Sequence, residues 1–312
     1  MDDKINIVFA SDDNYAQHAA VAMASILKNT LEPTRINFFL IADEISGKKK
    51  AMVEQTVTML AGKITFIKIS NEKLTQGFVS GQISRACYFR LDIANILPKT
   101  IKKIIYLDCD LLVYNDIAKL WAIDMRGKAL AAVCDYGIMA SGRIRKQKKH
   151  YIGLGAEDQY FNSGVLVLDL ELWRQEKYAE QVISLALTSH FPNHDQDALN
   201  KIFIRNWCEM PLCWNVIPPI FNLFPKILCN GNYRKAAMAA KITPAIFHYA
   251  GGYKPWEYER HEGFNDKYYE YLQLTEFRKV AMPQFDIRRK KRSIKRQLIR
   301  LAIADFFLKI CD

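Results

Sequence analysis

KKIIYLDCDLLVYND, Lys102 to Asp116, decides how this chain is read. An apolar, β-branched run ends in two aspartates one residue apart, Asp108 and Asp110. Residues i and i+2 of a strand point to the same face, so both carboxylates can address one point. Two anions that close repel unless a proton or a cation lies between them. A hard divalent ion such as Mg2+ or Mn2+ takes oxygen ligands and bridges to phosphate. The plainer alternative is a pair of solvated turn acids, and D-x-D by itself does not choose between the two. Asp116 reads as a helix cap for NDIAKLW.

Outward from this stretch, short β-rich runs alternate with helical periodicity. NIVFAS is followed by NYAQHAAVAMASILKN, with apolar groups spaced as on one helix face. RINFFLIAD, a helix through KKKAMVEQTVTML, KITFIKIS, SRACYFRLDIANIL and KKIIYLDCD continue the alternation. LAAVCD, NSGVLVLDL with ELWRQEKYAEQVISLALTS, the helical DQDALNKIF and AIFHYAGG complete it. Such βαβ units imply one α/β domain, a mostly parallel central sheet flanked by helices. Ligands of open α/β sheets bind outside the carboxyl ends of the strands. Ser11 to Tyr15, Asp108 to Asp110, Asp135 and His248 all stand at such ends.

Half of the 312 residues are apolar and a quarter are charged, which excludes disorder. MDDKINIVFAS is too acidic and its apolar run too short for a secretory signal, and no run reaches a membrane span, so a cytoplasmic protein is expected. The seven cysteines form no CxxC and sit mostly in apolar runs, as reduced core thiols do. The net charge of +11 is uneven: Asp286 to Asp312 holds nine Lys or Arg against three Asp. A basic loop around SGRIRKQKKHY, Ser141 to Tyr151, carries much of the rest.

VFASDDNY, YFRLDIANIL, IIYLDCDLLV with NDIAKLW, YFNSGVLVLDL with LWR, HDQDALN and FHYAGGYKPW follow one another over residues 5 to about 260. In that order they resemble glycosyltransferase family 8, retaining enzymes of the GT-A fold that use a nucleotide sugar. Within the family the chain is similar to bacterial lipopolysaccharide or lipooligosaccharide galactosyl- and glucosyltransferases. The resemblance implies that Asp108, Asp110 and His248 hold the metal, Mn2+ with Mg2+ as the alternative. It implies that Lys254 neutralises the diphosphate, that Gly251 lets the backbone approach it, and that Trp256 packs. Asp12, Asn14 and Tyr15 match the nucleoside site, with Cys109 also beside the donor. Arg90, Asn162, Asp195 and Gln196 match residues around the donor sugar, and Asp135 faces the acceptor side.

The reaction so implied moves galactose or glucose from a UDP-sugar to a saccharide hydroxyl, with Gln196, Asp195 and Lys254 as the catalytic set. Gln196, at the position near the anomeric carbon, is a poor nucleophile, which favours same-face attack guided by the leaving phosphate over double displacement. Bland alternatives remain for single residues: Asp12, Asp13 or Asp195 as helix caps, Arg90 in a surface ion pair.

The chain divides into a catalytic domain, 1–278, and a basic tail, 279–312. In the tail Ile294, Leu298 and Leu301 share a helical face opposite most of the cations, a basic amphipathic pattern suited to an anionic membrane surface. The expected partners are therefore a UDP-sugar, an oligosaccharide or lipid-linked saccharide acceptor, and the inner face of the cytoplasmic membrane, with no nucleic acid. Two other classes compete. A haloacid-dehalogenase-type phosphatase also uses D-x-D after a strand, but about a hundred residues precede the pair here and no G-D-x-x-x-D follows. A non-catalytic sugar-nucleotide binding protein would not need Asp108, Asp110, His248 and Lys254 together.

Overall fold

The structure, a computed structural model, describes residues 4–68, 86–139, 141–221, 231–252, 254–257 and 264–279. The tail from residue 280 onward lies outside them.

Nine strands are described: β1 Ile5–Asp12, β2 Ile36–Asp43, β3 Lys63–Lys68, β4 Lys103–Leu107, β5 Leu111–Val113, β6 Leu130–Cys134, β7 Phe161–Asp169, β8 Cys208–Glu209 and β9 Ile246–His248. Seven of them form one sheet in the order β3-β2-β1-β4-β7-β6-β8. The pairs β1·β2, β2·β3, β1·β4 and β6·β8 are parallel; β7 is antiparallel to both β4 and β6. The sheet is thus mostly parallel, as its sequence pattern implies, with one reversed strand inside it.

Central β1 is buried from Ile5 to Ser11 and apolar from Ile7 to Ala10, because both faces are covered. Ile5, Ile7 and Phe9 join the core under the helix Ala16–Asn29, and Val8 and Ala10 join the opposite core with Tyr88, Phe89 and Leu166. Each Ile, Val, Leu or Phe side chain among them contributes about 1.5–3 kcal/mol on burial. From Lys63 to Phe66 edge strand β3 alternates exposed Lys63 and Thr65 with half-buried Ile64 and Phe66, the pattern of a strand wet on one side.

Two departures from the sequence reading position the site. AIFHYAGG does not extend the large sheet: β9 pairs antiparallel with β5 in a separate ribbon, Leu111 opposite His248. Ser25 of the first helix accepts the Val113 N–H at 2.9 Å and Asn29 donates to the Val113 carbonyl at 2.8 Å, so the end of β5 is satisfied by that helix. The basic stretch expected as a loop is a helix, Gly142–Ile152, capped by the Ser141 hydroxyl and ended by Gly153 at φ 79°. Its polar character comes from an exposed face, and its inner face packs.

Candidate active site

The carboxyl ends of β1, β4 and β6 open into a cavity of about 580 Å³ lined by Ser11, Asp12, Asp108, Asp110 and Asp135. Because β7 runs the other way, its start rather than its end reaches this edge and brings Asn162 and Ser163 to the cavity. Its pairing with β6 jumps between Ala132 and Val133, leaving Ser163, Gly164 and Val165 without partners in β6, while the Gly164 carbonyl continues the ladder with β4 by accepting the Asp108 N–H at 2.9 Å. Bulges commonly re-aim side chains beside functional sites.

Ligand atoms of Asp108, Asp110 and His248 lie within 4.8 Å of one another. Their convergence follows from chain path. After Asp110 the strand leaves the large sheet as β5, and the pairing of Leu111 with His248 sets the histidine beside the acid. Each carboxylate has one oxygen held by the protein and one facing the ring. Asp108 Oδ1 pairs with Arg90 at 2.9 Å and accepts from the Tyr106 hydroxyl at 2.9 Å, and Asp108 Oδ2 lies 3.7 Å from His248 Nε2. Asp110 Oδ2 pairs with Lys254, and Asp110 Oδ1 lies 3.3 Å from His248 Nε2. Burial works to raise the Asp110 pKa, but Lys254 and His248 outweigh it and hold the carboxyl well below its ordinary value.

A run of amides determines which ring nitrogen faces the acids. The Gly164 N–H donates to Asn162 Oδ1 at 3.0 Å, and a backbone N–H cannot be reversed. Asn162 Oδ1 therefore also accepts from Asn215 Nδ2, at 2.9 Å, which turns Asn215 Oδ1 to His248 Nδ1 at 3.0 Å. Nδ1 therefore carries a proton, and Nε2 is the ring nitrogen that faces Asp108 and Asp110. Outer partners orient metal-binding histidines in the same manner. Two carboxylate oxygens and the Nε2 of one imidazole thus make a donor set able to hold a divalent ion. Gly164 is required by close approach: a Cβ there would stand 2.3 Å from His248 Cε1 and 2.7 Å from Asp108 Oδ2.

Arg90 is buried, not at the surface, and joins three parts of the site. It pairs with Asp108, lies 3.1 Å from Asp195 Oδ2, and donates to the Ser163 carbonyl at 2.8 Å. The Asp195 contact is close enough for charge pairing but out of line for a hydrogen bond, so the buried Oδ2 accepts none. Burial, opposed by Arg90 and reinforced by Asp108, pushes the Asp195 carboxyl up to about 6. Asp195 does not cap its helix, His194–Ile202, but turns inward from the first turn. Its neighbour Gln196 accepts from the Ser163 N–H at 3.0 Å and donates to Asp135 Oδ2 at 3.2 Å. Asp135 Oδ2 also accepts from Asn162 Nδ2 at 3.2 Å, joining the sugar-side residues to the amide run.

Of the residues matched to the nucleoside, Asp12 and Tyr15 line the cavity, and Asn14 is exposed and outside its lining. Asp12 accepts the Tyr15 N–H at 2.9 Å, closing the turn before the first helix, while Asp13 pairs with Lys49 at 2.8 Å. Cys109 turns its thiol onto the Ala10 carbonyl at 3.2 Å, and burial pushes the thiol pKa up. Gly251 borders the cavity in the left-handed region at φ 90°, a conformation glycine adopts without steric cost. Lys254 donates to the Tyr249 carbonyl at 2.8 Å besides pairing with Asp110, so its charge sits on the acid pair. Trp256 stacks on His18 with ring centroids 3.5 Å apart. Asp116 Oδ1 accepts the Ala118 N–H at 3.0 Å, at the start of the helix Ala118–Trp121.

Sequence reasoning missed Asn215, Ser163, Gly164 and Tyr106. NSG was visible as part of a strand, but nothing around LCWNVIPP marks Asn215, whose partners stand 53 and 33 residues away in the chain.

Fold and site define a transferase of the GT-A type. The profile of Glycosyl transferase family 8 matches residues 6–260, and the chain belongs to that family. General stress protein A of Bacillus subtilis is 31% identical over 290 residues, covering 90% of this chain and 98% of its own. Lipopolysaccharide 1,2-glucosyltransferase of Escherichia coli is 29% identical over 255 residues, covering 81% and 73%. The galactosyltransferase LgtC, solved in complex with donor and acceptor sugar analogs, superposes with a TM-score of 0.76 at 26% identity, covering 90% of this chain and 98% of LgtC. A glycosyltransferase of this family is not a dehalogenase-type phosphatase, and that alternative is set aside.

Proposed function

We propose that the chain transfers galactose or glucose from a UDP-sugar to a hydroxyl of a lipopolysaccharide- or lipooligosaccharide-type acceptor, with retained anomeric configuration and dependence on a divalent ion. The observation that carries this reading is the convergence of Asp108, Asp110 and His248 within 4.8 Å in a cavity that Tyr15, Asp12 and Lys254 also line. The relatives named for lipopolysaccharide glucosyl transfer and the galactosyltransferase LgtC support the substrate class.

Asp108, Asp110 and His248 would hold the ion, and the nitrogen ligand favours Mn2+ over Mg2+. When bound, it supplies Lewis-acid stabilisation of negative charge on the leaving diphosphate. Lys254 adds positive charge at the same end of the cavity, and Gly251 presents backbone without a side chain in the way. Tyr15 offers a ring face to the base, and the second oxygen of Asp12 is available to its polar edge. Arg90 and Asn162 orient Asp195, Ser163 and Gln196 around the sugar. The Gln196 carbonyl oxygen is engaged by Ser163, which makes it a weaker nucleophile still. Asp195 is buried against Arg90 and resists ionisation below about pH 6. Attack of the acceptor on the face that the diphosphate leaves needs neither residue to form a covalent bond.

The deciding assay is Mn2+-dependent UDP release from a panel of UDP-sugars, with product linkage read by NMR. UDP release that Asp108→Ala abolishes is the expected result; binding of UDP-sugars without turnover under any acceptor would instead favour a non-catalytic binding protein. Mass spectrometry during turnover tests the retaining step, and a sugar covalently attached to Asp195, Gln196 or Asp135 would refute same-face attack.

The proposal extends to the tail, residues 279–312, as an attachment to the inner face of the cytoplasmic membrane. No described helix is long and apolar enough to cross a membrane, and the nine basic residues between Asp286 and Asp312 suit an anionic surface. Flotation with phosphatidylglycerol vesicles, with and without residues 280–312, tests this: equal flotation of both would refute it.

A further inference from the structure

Asp108 turns one oxygen toward His248 because its other oxygen is held twice. Oδ1 accepts from the Tyr106 hydroxyl and pairs with Arg90 Nη2, each at 2.9 Å, whereas Oδ2 is the oxygen 3.7 Å from His248 Nε2. Arginine often grips a carboxylate with two parallel N–H bonds, which takes up both oxygens. The other partners of Arg90 work against that grip. Its Nη1 donates to the Ser163 carbonyl at 2.8 Å and its Nε lies 3.1 Å from Asp195 Oδ2, so the guanidinium meets Asp108 end-on through Nη2.

The strand places the tyrosine for this contact. Tyr106 precedes Asp108 by two residues, so both side chains leave the chain on one face. Within β4 it stands between Val8 of β1 and Leu166 of β7, is 1% exposed, and belongs both to the core and to the lining of the cavity. The guanidinium carbon of Arg90 lies 4.7 Å from the centre of its ring, a cation over an aromatic face. Tyr106 thus restrains Asp108 directly through its hydroxyl and indirectly by seating Arg90. A residue needed only to fill the core would require no hydroxyl; this one has a buried hydroxyl whose partner is an acid of the donor set.

We propose that Tyr106 is a positioning residue for the divalent ion: together with Arg90 it occupies Oδ1 of Asp108 and makes that acid a one-oxygen ligand through Oδ2. The inference rests on the reading of Asp108, Asp110 and His248 as the metal-holding set and adds a residue that the set does not contain. Tyr106→Phe keeps the ring, its packing and the seat of Arg90, and removes the hydroxyl alone. Oδ1 keeps Arg90, so no buried acceptor is orphaned and the variant is expected to fold. The carboxylate is then held at one point instead of two and is freer to turn about its Cβ–Cγ bond, which loosens the aim of Oδ2. Outer partners of metal ligands typically contribute about 10–100-fold in affinity.

The test measures Mn2+ binding to the full chain from the free-ion electron paramagnetic resonance signal with UDP present, beside UDP binding without metal. Tyr106→Phe is expected to bind Mn2+ about tenfold or more weakly and to keep the parental metal-free UDP affinity. Parental Mn2+ affinity in the folded variant would overturn the proposal, as would an equal weakening of metal-free UDP binding, the mark of a site lost as a whole. A second measurement needs only the parent: the infrared difference spectrum on Mn2+ binding, in which a carboxylate bound through one oxygen separates its two stretches more widely than one bound through both. Lys254 holds the second oxygen of Asp110 as Tyr106 and Arg90 hold that of Asp108, so only the wide separation is expected, and a narrow, chelating pair of bands would overturn the one-oxygen ligation. A parent chain that binds no Mn2+ would overturn the donor set and this proposal together, whereas equal binding by parent and variant overturns the role of Tyr106 alone.

Discussion

Replacing Asn215 by leucine, nearly its isostere, removes one link from the amide run behind His248. Asn215 and His248 are 2% and 3% exposed, so no solvent takes over the lost contact. The Nδ1–H now 3.0 Å from Asn215 Oδ1 would be left unpaired, at about 1–3 kcal/mol. The ring can avoid that cost by moving its proton to Nε2, where it faces Asp108 and Asp110 and removes the nitrogen lone pair from the donor set. Either route weakens the site for a divalent ion. Loss of such an outer partner typically costs about 10–100-fold in metal affinity, or about 1.4–2.8 kcal/mol. The assay is titration of the free Mn2+ electron paramagnetic resonance signal with protein in the presence of UDP, alongside UDP binding without metal. Asn215→Leu is expected to weaken Mn2+ binding by that factor and to leave metal-free UDP binding and the circular dichroism spectrum unchanged. Asn215→Asp keeps an acceptor opposite Nδ1 and is expected to bind Mn2+ more tightly than the leucine variant. Parental Mn2+ affinity in a folded Asn215→Leu protein would refute the assignment of the proton to Nδ1.

Gly164→Ala introduces a carbon 2.3 Å from the His248 ring and is expected to abolish Mn2+-dependent UDP release and lower Mn2+ affinity while far-ultraviolet circular dichroism stays unchanged. His18 shares a hydrogen bond between Nδ1 and the Tyr268 hydroxyl, 2.6 Å away, and burial holds its pKa down at about 3. Between about pH 6.5 and about pH 3 the unfolded chain binds a proton that the folded chain excludes, so stability is lost as pH falls through that window, by about 1.4 kcal/mol per unit. Urea denaturation at pH 6.5 and 4.5 is expected to show this extra loss in the parent and not in His18→Gln; parallel losses would refute it. Lys148→Met leaves Asp197 buried without its cation and is expected to cost about 3–5 kcal/mol in urea denaturation, partly recovered in the double variant with Asp197→Asn. A single variant as stable as the parent would show that the pair does not anchor the helix Gly142–Ile152.

Much of the fold was legible because its signals are local. The apolar run of β1, the helical spacing of AQHAAVAMASILKN and the polar ends of β1, β4 and β6 depend on neighbours a few residues apart. The direction of β7 was not legible, since NSGVLVLDL reads the same way whether it runs with the sheet or against it. The basic helix was mistaken for a loop because its charges outnumber its apolar positions, and nothing in GRIRKQKKHYI announces that one lysine among many is buried against Asp197.

By itself the sequence determined the α/β class, the acid pair at a strand end, and, through motifs recurring in a known order, the family. Only the tertiary structure decided how those residues meet. Reversal of β7 put Asn162 and Gly164 at the sheet edge rather than at its far end. The departure of β5 to pair with β9 set His248 beside Asp110, and Asn215 turned the ring nitrogen toward both acids. The physical reason is one of range: periodicity and propensity act between neighbours, whereas strand direction, register and the position of a proton are settled by partners far along the chain.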